Sequence, residues 1–208
     1  MGNPVAVVLE GDALSVEQMQ AIARWTNLSE TTFICSPTDP GADYRLRIFT
    51  PKNELPFAGH PTIGSAHAAL RHGLGPKTKG RLVQECGRGS VQIERDGERL
   101  FFALPVPRFG DAIGPSRARL ADALGGKVSD IGPSVTIDVG PIWLTVQLPS
   151  AEVALALRPD MDKLRALIPV GITGVTVFGL YGPTTAAGVE VRSFAPGEGV
   201  PEDPVCGS

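Results

Sequence analysis

The sequence carries one plan twice. "RIFTPKNELPFAGHPTIGSA", Arg47 to Ala66, is matched by "RSFAPGEGVPEDPVCGS", Arg192 to Ser208. Arg47 aligns with Arg192, Phe49 with Phe194 and Pro51 with Pro196; after a short gap, "HPTIGS" (His60 to Ser65) aligns with "DPVCGS" (Asp203 to Ser208). The match extends backwards. "NPVAVVL" at Asn3 resembles "GPIWLTVQL" at Gly140, and a helical segment follows each. Then "TTFI" and "GVTVFGLY" precede the paired strands "YRLRIFT" and "VEVRSFA". An internal repeat constrains a fold more than local propensity does, because both copies must bury their apolar faces in the same way. Each copy reads as strand, helix, strand, strand and a glycine-flanked helix start. The copies divide the chain into domains at 1–104 and 105–208.

The first copy continues past its motif. "HPTIGSAHAALRHG" predicts a helix with Pro61 at its first position, ending near Gly73 or Gly75 and rich enough in Ala and Gly to lie at the centre of a sheet. "RLVQECG", "GSVQIERDG" and "RLFFALP" then predict a meander with a hairpin turn at Asp96-Gly97. Upstream, Ser15 and Gln18 fit a capping box, with Val16, Met19, Ile22, Ala23 and Thr26 on one helical face. In the second copy, Asp203-Pro204 reads as a helix start with no helix after it. The expectation is a second domain cut short, its central helix lying beyond Ser208. Val175, Val177, Leu180, Val189 and Val191 would then face solvent or a partner.

Composition excludes several classes. Net charge is −3, so no broad basic surface advertises nucleic acid or a membrane. No apolar run is long enough to span a bilayer, and the start has no basic segment of a signal peptide. Cys35, Cys86 and Cys206 are odd in number and widely spaced; this suits a reducing cytoplasm and gives neither a disulfide framework nor a zinc pattern. The three histidines, His60, His67 and His72, share no face, so no metal site is expected. Trp25 and Trp143 read as core.

Few residues offer chemistry. Glu30, in "NLSETTF", stands at a helix-to-strand junction among apolar and hydroxylic neighbours. It reads either as a loop carboxylate capping a turn or as a partly buried acid or base with a raised pKa. His60, in "AGHPTIG", stands at a helix start, where N–H groups and the positive dipole end receive anions and Gly59 permits close approach. It caps the helix or moves a proton. Asp203 takes the equivalent place in the second copy, and alone it is an ordinary cap. The repeat ties the two together: quasi-twofold copies bring equivalent helix starts to a common cleft. Cys206 is either a small buried residue or a thiolate base. Arg47 and Arg192 pair internally or reach the cleft.

The four motifs "GNPVAVVL", "NLSETTF", "FTPKNELPFAGHPTIGSA" and "FAPGEGVPEDPVCGS" resemble the phenazine-biosynthesis PhzF-like family, in the family's order and over nearly the whole chain. The resemblance implies an α+β, diaminopimelate-epimerase-like fold. Each of its two domains is a mainly antiparallel mixed sheet curled around a central helix, with the site between them. It implies a cytoplasmic homodimeric isomerase without cofactor or metal, acting on a small carboxylated substrate. Catalysis falls on Glu30, His60 and Asp203. Substrate contacts fall on Ser29, Gly59, Gly207 and Ser208. Cys206 stands where the motif more usually has threonine. Related racemases and epimerases place a catalytic cysteine there, but their first cysteine falls near Ala58. That leaves a one-cysteine epimerase or dehydratase, or a non-catalytic binding member, as alternatives.

Overall fold

The computed structural model describes residues 2–104, 106–110 and 115–206. The first half builds one mixed sheet from β1 (Val5–Val8), β2 (Glu30–Cys35), β3 (Tyr44–Phe49), β4 (Glu54–Leu55), β5 (Arg81–Cys86), β6 (Gly89–Asp96) and β7 (Arg99–Phe102). Its order is β1-β2-β3-β5-β6-β7, with β4 attached to β3. The second half builds another from β8 (Arg108–Gly110), β9 (Ser134–Asp138), β10 (Ile142–Gln147), β11 (Gly174–Leu180), β12 (Val189–Ala195) and β13 (Val200–Asp203), in the order β13-β12-β11-β10-β9-β8. Helices α1 (Val16–Thr26) and α2 (Gly59–Arg71) belong to the first half; α3 (Arg117–Leu124), α4 (Ala151–Ala156) and α5 (Met161–Leu167) belong to the second.

The repeat survives as geometry. In each half a strand pairs in parallel with the next, β1 with β2 and β10 with β11. That strand then pairs antiparallel with a third, β3 or β12. Arg47 lies over the Phe49 ring with its guanidinium bonded to Glu54, and Arg192 lies over Phe194 bonded to Glu202. The two arginines are thus spent on matching internal ion pairs rather than on the cleft.

Helix α2 is the axis of the first half. It touches β1, β2 and β3 at one side of the sheet and β7 at the other, so the sheet curls around it. Small residues make that approach feasible. A Cβ on Gly64 would stand 2.5 Å from Val5 Cγ1. The buried Ser65 and Thr32 hydroxyls are bonded at 2.8 Å. Tyr44 Oη donates to Gln84, whose amide donates to Thr62, whose hydroxyl donates to the Ala58 carbonyl. This buried chain holds the first turn of α2 against β3 and β5.

Several expectations shift. Helix α2 begins at Gly59, so His60 is its second residue and Pro61 its third. Its first backbone bond runs from the Thr62 N–H to Ala58, so Pro61 falls among positions that need no donor. The capping box at Ser15 and Gln18 is present, but Val16 stays exposed while Met19 and Ala23 are buried. The β6–β7 loop is Gly97-Glu98, with Gly97 at φ 60°. Trp25 is 84% exposed on α1 and is no core residue.

The five valines and leucines of the second sheet divide by face. Val175 and Val177 are buried, packed with Leu144, Val146 and Phe194 under the helical layer of α3, α4 and α5. Leu180, Val189 and Val191 are exposed. Leu180 pairs with Val189 and Phe178 with Val191, which puts them on the face opposite the helices. The expectation that all five would be uncovered overlooked this alternation.

Gly64→Ala should lower stability by about 1–2 kcal/mol in denaturant unfolding, because the close contact with Val5 outweighs the helix-propensity gain of about 1 kcal/mol. A more stable variant would show that the α2–β1 contact has room to spare.

Candidate active site

Glu30 is delivered by a tight sequence of elements. Helix α1 ends on Asn27 in a left-handed conformation (φ 52°), and the chain enters β2 at Glu30, opposite Val5 of β1. The residue is 9% exposed. Its Oε2 is buried without a hydrogen-bond partner. Burial is the main force raising its pKa, to about 8, and the nearby Asp203 carboxylate adds to it. Arg47 and Arg192, being paired elsewhere, offer no compensation.

His60 faces it. Its Nε2 lies 3.4 Å from Glu30 Oε2, without hydrogen-bond geometry. Burial lowers the histidine pKa, opposed in part by a hydrogen bond to the Pro4 carbonyl. Near neutral pH the two therefore meet as a neutral acid and a neutral imidazole rather than as an ion pair. The N–H groups of Gly59 and His60, at the open first turn of α2, precede the first intrahelical bond, the kind of helix N-terminus that can receive an anion.

Asp203 comes from the other half. It ends β13, and its Oδ1 accepts from Asn3 Nδ2 at 2.5 Å and from the Val205 N–H at 3.2 Å. The second bond resembles a helix cap, yet Pro204 and Val205 form a bend and no helix follows among the described residues. Burial raises the Asp203 pKa, while the Val205 N–H and Cys206 pull it down. Cys206 is partly buried beside this carboxylate. Ser29, Glu30, Trp143, Thr173, Glu198 and Asp203 are among the residues lining the crevice between the halves. Gly207 and Ser208 lie outside the described residues.

The repeat is asymmetric at the acid. Thr31 stands opposite Phe49, and Val175 stands opposite Phe194. With the two phenylalanines equivalent, the counterpart of Glu30 is Gly174. A Cβ there would stand 2.2 Å from the Phe194 carbonyl oxygen, so the position admits no side chain. Among the described residues, Glu30, contributed by the first half, is thus the one buried glutamate of the crevice, Glu198 being only partly buried. Among the described residues no group of three His, Cys, Asp or Glu side chains is arranged to hold a metal ion, and no helix is long and apolar enough to cross a membrane.

Three contributors were missed from the sequence. Asn3 was read as a strand start, although an Asn before Pro is a turn former with a free amide. Glu198, between two glycines, crosses the crevice to Asn53 at 2.7 Å and Thr50 at 3.3 Å. Trp143 is buried as expected, but it lines the crevice and its Nε1 is without a partner.

Two mixed sheets, built on one repeated unit and meeting at a crevice, define a diaminopimelate-epimerase-like fold. The model of the family described as phenazine biosynthesis-like protein (PhzC-PhzF) matches residues 1–208, and the chain belongs to that family. It is 45% identical over 216 residues to "Antisense-enhancing sequence 1" of Schizosaccharomyces pombe, covering 100% of this chain and 72% of the relative. It is 42% identical over 218 residues to the trans-2,3-dihydro-3-hydroxyanthranilate isomerase of Pseudomonas aeruginosa, covering 100% and 71%. Among solved structures, a PhzF-family phenazine biosynthesis protein of Bacillus anthracis superposes with a TM-score of 0.81 at 28% identity, covering 100% of this chain and 72% of that one.

The raised pKa has a sign for stability. The folded state holds the Glu30 proton more tightly than the unfolded state does. Its contribution is present at acid pH and is lost as pH rises from about 4.5 to about 8. Glu30→Gln should therefore nearly match the wild type at about pH 5 and exceed it at about pH 9 by on the order of 4 kcal/mol in denaturant unfolding. Equal stability at both pH values would mean that Glu30 is solvated.

Proposed function

We propose that the protein is a cofactor-independent isomerase in which Glu30 moves a proton on a small carboxylated substrate. The observation that carries this is Glu30 itself: buried, uncompensated by any cation, and raised to about 8 at the crevice between two sheets. A structural carboxylate would be paired or solvated, because an unpaired buried one costs folding energy. The 42% identical Pseudomonas aeruginosa relative, named for an isomerase of a cyclic amino- and hydroxy-substituted carboxylate, supports the reaction class.

The proposed cycle uses this chain's own groups. The α2 N-terminus, through the Gly59 and His60 N–H groups, receives the substrate carboxylate. Ionised Glu30 removes a proton from carbon; the C–H electron pair enters the conjugated system and shifts its double bond. Glu30, whose carboxyl proton exchanges with solvent, then delivers a proton to a second carbon. Neutral His60 and Asp203, with Ser208, orient the substrate and relay protons at its heteroatoms. The two-domain reading, 1–104 and 105–208, places Glu30 and His60 in one domain and Asp203 in the other, so closure of the halves would assemble the site.

A Cys206 base is less favourable. The thiol is hydrogen-bonded to the Asp203 carboxyl rather than free to take a proton from substrate. Cys206→Ser should leave turnover nearly unchanged.

With 2,3-dihydro-3-hydroxyanthranilate as probe, kcat/KM should rise with pH through an apparent pKa near 8, because the free enzyme must lose the Glu30 proton to act as base. Glu30→Gln should slow solvent-deuterium incorporation by roughly 10²–10⁴-fold. Incorporation at the wild-type rate would remove Glu30 from the reaction.

A further inference from the structure

Asn3 is fixed in orientation by what it touches. Its Nδ2 donates to Asp203 Oδ1 at 2.5 Å and to the Val205 carbonyl at 3.3 Å. A main-chain carbonyl only accepts, so the nitrogen must face Val205 and the amide cannot be turned over. Both N–H groups are then spent. The remaining atom, Oδ1, is buried and has no partner. Glu30 Oε2, His60 Nε2 and Trp143 Nε1, around the crevice, are likewise buried and unpartnered. The strand that Asn3 opens brings it there: Pro4 bonds His60, and Val5 pairs with Glu30. Native structures seldom leave a buried amide oxygen empty without a use for it.

We infer that Asn3 is a specificity-determining residue whose Oδ1 accepts a hydrogen bond from an amino or hydroxyl group of the substrate. This rests on the isomerase reading and narrows its substrate class. The α2 N-terminus suits an anion and Glu30 acts on carbon. Oδ1 accepts only, so it selects ligands that carry a donor in addition to a carboxylate. The same amide ties β1 of the first half to the end of β13 in the second, so recognition of the donor is coupled to placement of Asp203.

The test is calorimetric binding of 2-amino-3-hydroxybenzoate and of benzoate, which shares the carboxylate but has no ring donor. The full chain should prefer the first by about tenfold or more. Asn3→Ala should reduce that preference to about threefold or less. Asn3→Asp, which loses the amide donors but keeps an accepting oxygen, should retain it; this variant also serves if Asn3→Ala fails to fold. An unchanged preference in Asn3→Ala, or equal loss in both variants, would overturn the role of Oδ1 while leaving the isomerase reading intact. If the unsubstituted chain binds neither compound, the carboxylate substrate class falls, and this inference with it.

Discussion

An unpaired carboxyl group held out of water is the constraint on which the rest of this structure turns. Glu30 belongs to the first sheet, but much of what closes over it comes from the second. That closure is made by polar contacts across the crevice: Asn3 to Asp203, Asn53 to Glu198, and Arg88 to Asp138. Open the halves and water would reach the carboxyl, returning its pKa towards the ordinary range. The bonds across the crevice would therefore act on the proposed chemistry through solvent access, not through contact with a reacting atom.

The duplicated plan explains how such a site arises. Each half supplies a strand pair, an Arg–Phe–Glu corner and a motif at the crevice. Identical halves would place two acids, or none, across the axis. Here the second position is Gly174, closed by the Phe194 carbonyl, while the motif ends differ as His60 and Asp203. A buried acid, a neutral imidazole and a second carboxyl become three distinct groups built on one repeated frame. The placement of α2 is equally specific, since the Tyr44–Gln84–Thr62 chain fixes its first turn against β3 and β5.

Much of this was legible in the sequence. The repeat, the capping box, the central helix and the meander follow from periodicity and from Gly, Pro and Ser positions, which act locally. Glu30, His60 and Asp203 were found because two motifs aligned and the family resemblance singled out the glutamate. What escaped depends on distant partners. Asn3 lies two hundred positions from Asp203, and no local pattern announces that contact. The exposure of Trp25 and the burial of Val175 and Val177 depend on which face a neighbouring element covers. The start of α2 was misplaced because Pro61 is tolerated anywhere in a first turn, so it marks the region and not the residue.

The account stands or falls on the protonation of one side chain. Carbon-13 NMR of the chain labelled at glutamate side-chain carboxyls, with Glu30→Gln to assign the resonance, reads it directly. Glu30 should titrate near 8, well above the exposed glutamates. A resonance titrating near the ordinary glutamate value of about 4.3 would contradict the buried, uncompensated acid on which the fold's closure and the proposed chemistry both depend.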